Sequence, residues 1–224
     1  MIIALSFIIP LVLVGVSYML WFMPASLALL WQLPLAFLLS YLVWVLLLVL
    51  VLIVIAICIP IDNVKKPKYF LSYLMIQISD YLIFLFGIKL VIEGKENIPQ
   101  DAHYMVIGNH QSNMDPILLV SILRNPNIAM IMKDNILKFP FLRRWLLSAG
   151  YLPLDRNNDR KAIEAVIKGI RWIEDGYTFG AFPEGTRSKK GVLLPFRSGI
   201  FKVAQKARCP ILVFTMDGVY KLKK

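Results

Sequence analysis

Hydrophobic positions run almost unbroken through the first 61 residues, and no charged side chain precedes Asp62. As helices, residues 2–23 would reach about 33 Å and residues 35–59 about 37 Å, each enough to cross a hydrocarbon core. Pro24 and Pro34 bracket the short link between them. The pattern predicts a transmembrane helical hairpin over residues 1–61. A cleavable signal peptide fits less well, because the charged n-region is missing and the apolar stretch is too long. Residues 69–88 are apolar and aromatic again, but Ser72, Gln77, Ser79 and Asp80 interrupt them. Burying Asp80 at mid-bilayer would cost about 2.5–3.5 kcal/mol. Residues 62–89 are therefore expected to form a basic linker and a helix that lies in the membrane interface or packs on the domain after it.

From residue 90 the pattern changes. Short apolar runs at 90–93, 103–107, 127–132, 151–154, 178–182 and 211–215 read as strands. Helical patterns fall between them at 116–123, 141–149, 160–175 and 198–207. In the third, Ile163, Val166, Ile167, Ile170 and Ile173 form one apolar stripe, and Gly176 stops the helix. Strands alternating with helices predict an α/β domain over residues 90–224, a mixed sheet covered by helices. In such sheets active residues sit on loops beyond the strand ends.

Composition sharpens this division. All 25 Lys and Arg and all 14 Asp and Glu lie in residues 62–224, roughly one residue in four, which is ordinary for a soluble domain. Lys65, Lys66 and Lys68 follow the second apolar run, and the positive-inside rule puts them and the domain on the cytosolic side. A net charge of +11 would suit nucleic acid as well, but beside a membrane hairpin it points to anionic lipid. Cys58 and Cys209 have no metal-ligand neighbours or spaced partner, so free thiols and no metal are expected. Neither a G-x-S-x-G elbow nor a glycine-rich nucleotide loop is found.

Candidate chemistry centres on His110, one of two histidines in the chain, and Asp115 five positions later. On a regular helix five residues turn through about 500°, leaving the side chains roughly 140° apart. At a strand-to-helix turn they can meet. There a carboxylate would hold one ring nitrogen protonated so that the other accepts a proton. Asp-Pro before an apolar run is equally a good helix start, with Asp as cap and Pro in the first turn.

Several stretches taken together carry a resemblance. Asn109-His110-Gln111-Ser112-Asn113-Met114-Asp115 resembles the H-x-x-x-x-D motif of glycerolipid acyltransferases, and Phe182-Pro183-Glu184-Gly185-Thr186-Arg187 resembles their F-P-E-G-T-R motif. Gly150 to Arg156 resembles the intermediate motif, a glycine with a short strand and an arginine, and Cys209 to Val213 the last, a proline-led apolar strand. In order over roughly residues 90–213, these are similar to the 1-acylglycerol-3-phosphate acyltransferase family.

The resemblance implies a glycerolipid acyltransferase-like domain. It would move a fatty acyl group from a thioester to the free hydroxyl of lysophosphatidic acid, giving phosphatidic acid in phospholipid biosynthesis. Acyl-CoA or acyl carrier protein would be the co-substrate, with no bound cofactor, at the cytosolic face of the cell membrane, integral or monotopic. His110 would be the general base and Asp115 its partner. Arg187 would offer a bidentate fork to the acceptor's phosphate, Gly185 a close backbone approach and Thr186 a hydroxyl. Glu184 would hold an arginine or the acceptor's hydroxyl. Lys133 and Arg156 are second candidates for the phosphate. Without the resemblance, residues 187–191 read as a solvated basic turn. Other acceptors remain open, glycerol 3-phosphate or another lysophospholipid, as does an inactive membrane-anchored lipid-binding protein.

Overall fold

Where charge first enters the chain, the fold divides too: residues 1–58 and 59–224 form two compact units in the computed structural model. The structure describes residues 2–21, 33–59, 66–100, 103–133, 137–154, 159–188 and 191–223. Arg156, Lys65, Lys189, Lys190 and the link between the first two helices lie outside these.

The first unit holds α1 (Ile2–Trp21) and α2 (Leu33–Cys58). They pack together, with the rings of Phe7 and Tyr41 5.7 Å apart and the Ser40 hydroxyl donating to the Pro10 carbonyl at 3.5 Å. Among the described residues one helix, α2, is long and apolar enough to cross a membrane.

In the second unit, α3 (Tyr69–Leu85) buries Leu71, Ile76 and Tyr81 and packs on α4 (Asp115–Leu123). Asp80, the residue that would be costly in lipid, instead accepts from the Ser121 hydroxyl at 2.6 Å and pairs with Arg124 at 3.0 Å.

Five strands, β1 (Met105–Gly108), β2 (Ile128–Lys133), β3 (Tyr151–Leu154), β4 (Thr178–Ala181) and β5 (Ile211–Phe214), form one sheet in the order β3-β2-β4-β1-β5. Every pairing is parallel. This corrects the expectation of a mixed sheet. Each connection between consecutive strands carries a helix: α4, α5 (Pro140–Ser148), α6 (Asp159–Glu174) and α7 (Lys202–Ala207). Such crossovers yield parallel neighbours. The expected strand at 90–93 does not form; that stretch is irregular, and Val91 is 90% exposed.

Right-handed crossovers put α4 and α5 on one face of the sheet and α6 and α7 on the other. Met105, Ile107, Ala129, Phe179 and Ala181 face α6 and α7, where Trp172, Ile173, Val203 and Ala204 complete the core. The apolar stripe of α6 is rotated from the one expected. Ile163 and Ile167 are exposed, and the buried face runs through Ala165 to Trp172 and Ile173. Gly169 sets that rotation, because a Cβ there would stand 2.7 Å from the Phe179 ring.

Candidate active site

The sheet's order decides which loops meet. Adjacent strands β1 and β4 send their chains to opposite faces, and the carboxyl ends at such a point are the usual ligand position in open α/β sheets. The in-register pair Ile107 and Ala181 brings the loop after β1, with His110, beside the loop after β4, with residues 182–188.

Asp115 is fully buried, and its side chain turns back instead of capping its own helix. Its Oδ2 accepts from the backbone N–H of Gln111 at 2.5 Å and of Ser112 at 2.8 Å. The same oxygen lies 2.7 Å from Nδ1 of His110. An oxygen already receiving two N–H donors calls for a proton on Nδ1, which leaves Nε2 as the accepting nitrogen. The imidazole is 18% exposed, so it is open to solvent.

The loop after β4 holds His110 from the other side. Phe182 stacks on the imidazole, centroids 4.4 Å apart and planes 20° off parallel. Glu184, expected to hold an arginine or the acceptor's hydroxyl, is only 4% exposed. Its Oε1 accepts from the His110 backbone N–H at 2.7 Å and its Oε2 from the Leu194 N–H at 3.0 Å. The His110 carbonyl in turn accepts from the Ser188 N–H at 2.7 Å. Both backbone polar groups of His110 are thus tied to the 182–188 turn.

Gly185 takes φ +67, and a Cβ there would stand 2.9 Å from Nε of Arg197. A left-handed turn with a guanidinium against it selects glycine. Arg187 donates from Nη1 to the Asn113 Oδ1 at 2.7 Å, bringing the guanidinium to the His110 loop. Thr186 is exposed beside it. Lys133 ends β2, exposed at the same sheet edge but one strand beyond β4.

A third support comes from beyond β5. The Asn109 carboxamide pairs with both polar groups of the Met216 backbone, donating at 2.8 Å and accepting at 2.7 Å. The Gln111 Oε1 accepts from the Tyr220 N–H at 3.4 Å. Sequence reasoning missed the Asn109 clamp, the Phe182 stack and the Asn113 tether. A parallel register for β1 and β4 would have signalled the Phe182 stack, since it sets residue 182 beside the His110 loop. Both cysteines are free. Burial raises the pKa of the Cys209 thiol, opposed by backbone hydrogen bonds with Met105 and Cys209. Among the described residues no group of His, Cys, Asp and Glu converges as a metal site.

A parallel α/β sheet thus carries at its carboxyl edge a carboxylate-held imidazole and an arginine tethered to the same loop. The family model for acyltransferases matches residues 89–217, more than half of the chain, and the chain belongs to that family. It is 33% identical over 147 residues to the 1-acyl-sn-glycerol-3-phosphate acyltransferase of Borreliella burgdorferi, covering 65% of this chain and 58% of that protein. To the Haemophilus influenzae enzyme of the same name it is 35% identical over 133 residues, 57% of this chain and 53% of the relative. The crystal structure of the 1-acyl-sn-glycerophosphate (LPA) acyltransferase PlsC from Thermotoga maritima aligns with a TM-score of 0.55 and 30% identity, over 63% of this chain and 55% of that one. The matched region is about half the length of these curated relatives.

Proposed function

We propose that this chain transfers a fatty acyl group from an acyl thioester to the free hydroxyl of lysophosphatidic acid, giving phosphatidic acid. The observation that carries the reading is the 2.7 Å contact between His110 Nδ1 and Asp115 Oδ2, in a chain similar to 1-acyl-sn-glycerol-3-phosphate acyltransferases. An alcohol is a weak nucleophile, so its proton must leave as it attacks. Nε2 of His110 takes that proton while the hydroxyl oxygen adds to the thioester carbonyl. Asp115 holds the tautomer and stabilises the imidazolium. When the tetrahedral intermediate collapses, the C–S bond breaks, and the imidazolium returns the proton to the departing sulfur. No acyl-enzyme is required, because the donor arrives activated.

Arg187 receives the acceptor's phosphate through its guanidinium fork, with Thr186 as a hydroxyl donor and Gly185 allowing close backbone approach. Lys133 at the same sheet edge, and Arg156 in the sequence after β3, are further cations for that phosphate. Glu184 acts through position, by fixing the His110 backbone. The helices α1 and α2 form the membrane hairpin, and the basic residues after them keep the domain on the cytosolic face. Offering lysophosphatidic acid, glycerol 3-phosphate and lysophosphatidylcholine as competing acceptors tests the reading. Phosphatidic acid should dominate the products. Preferential use of another acceptor, or no acylation of any, overturns it.

A further inference from the structure

One surface is not absorbed by this chemistry. After the 182–188 turn, Val192 and Leu193 are 63% and 62% exposed and Phe196 is 44% exposed. They are not a loose loop. The Leu194 N–H is held by Glu184 at 3.0 Å, and the Arg197 N–H donates to the Pro183 carbonyl at 2.9 Å. The Phe196 ring lies 6.3 Å from that of Phe201. Gly191 opens the loop at φ +72, packed so closely on Tyr220 that a Cβ would stand 2.9 Å from its ring. A pinned loop that presents apolar side chains outward keeps them in unfavourable contact with water, and nothing in the fold relieves it.

The charge flanking it in the sequence is one-sided. Between Glu184 and Asp217 the sequence holds Arg187, Lys189, Lys190, Arg197, Lys202, Lys206 and Arg208 and no acidic residue. Apolar tips in a stretch of sequence whose only charges are positive match a surface that is anionic outside and apolar beneath. The same chain carries a helix of membrane-crossing length and composition.

We propose that the 191–197 loop is a membrane-docking hook, with Val192, Leu193 and Phe196 entering the leaflet and basic residues that flank the loop in the sequence contacting anionic headgroups. Through Glu184, whose two oxygens hold Leu194 and His110, the hook is tied to the loop that carries the base. Docking would therefore set His110 and Arg187 at headgroup depth, where a single-chain lipid phosphate presents its hydroxyl. This deepens the acyl-transfer reading and rests on it for the identity of the acceptor.

The test uses the full chain reconstituted in vesicles of phosphatidylcholine and an anionic phospholipid. In a background of C58A and C209A, a spin label at L193C should collide with dissolved oxygen and be shielded from a water-soluble nickel chelate. A label at E164C, 63% exposed on α6, should show the reverse. A label at position 193 open to the chelate, or shielded from both reagents, overturns the hook. This readout needs no turnover, so it stands apart from any failure of the acyl-transfer reading. In the second arm, V192S/L193S should lose about tenfold in activity on vesicle-embedded lysophosphatidic acid, yet keep activity on a short-chain monomeric acceptor within about twofold. Equal loss on both acceptors would assign the loop to the fold instead.

Discussion

Oδ2 of Asp115 holds His110 at Nδ1 together with the N–H groups of Gln111 and Ser112, so one buried oxygen fixes both the base and the turn carrying it. Oδ1 is buried without a hydrogen-bond partner. Asp115→Asn must therefore bury an NH2 with no acceptor or point it at three donors. The variant should lose about 1–3 kcal/mol of stability and most of its turnover, read by thermal melting and by acyl-transfer rate. Unchanged turnover in a folded Asp115→Asn protein would remove Asp115 from the mechanism.

Glu184→Gln separates positioning from substrate contact. A carboxamide can accept only one of the two N–H donors now held, so His110 or Leu194 is released. Turnover should fall with little change in the acceptor's KM, and stability should drop by about 1–3 kcal/mol. A rise in acceptor KM alone would put Glu184 against the substrate.

Gly108→Ala should act on the base from a distance. A Cβ at Gly108 would lie 2.3 Å from the Phe214 ring. That ring meets Phe182 edge-on at 6.0 Å, and Phe182 stacks on His110. Overpacking of this kind costs about 1–3 kcal/mol, and turnover should fall with it. Melting curves and rates that match the wild type would show that the aromatic chain does not hold the imidazole.

Arg187→Ala should raise the acceptor's KM about tenfold or more and leave donor use nearly unchanged, since the loss is of a charge-assisted pair. Arg187→Lys should rescue in part, keeping the charge and losing the fork. Because Asn113 tethers Arg187 at 2.7 Å, Asn113→Ala should move the same KM by less. Selective loss of donor affinity in Arg187→Ala would reassign the residue.

The site was legible in the sequence through residue types and spacing more than through topology. His110 with Asp115, and the loop from Phe182 to Arg187, stand out because histidine is rare here and both stretches follow apolar strand runs. Sequence separation did not reveal that β4 inserts between β2 and β1, and that order is what puts Phe182 on the imidazole. The expectation that Glu184 holds an arginine or the acceptor's hydroxyl named no backbone partner, whereas the N–H groups of His110 and Leu194, on loops far apart in the sequence, each donate to one of its oxygens. The stretch at 90–93 had strand composition but no partner strand. In α6 the close approach of Gly169 to Phe179 turned Ile163 and Ile167 outward. Tertiary packing, absent from any local pattern, decided each of these.

The most direct test of the account is the acyl-transfer rate of His110→Ala, measured with lysophosphatidic acid and an acyl thioester on protein whose melting curve matches the wild type. Loss of general-base help predicts a fall of about 10²–10⁴ in turnover. Wild-type turnover by folded His110→Ala would contradict the central claim that His110 takes the acceptor's proton.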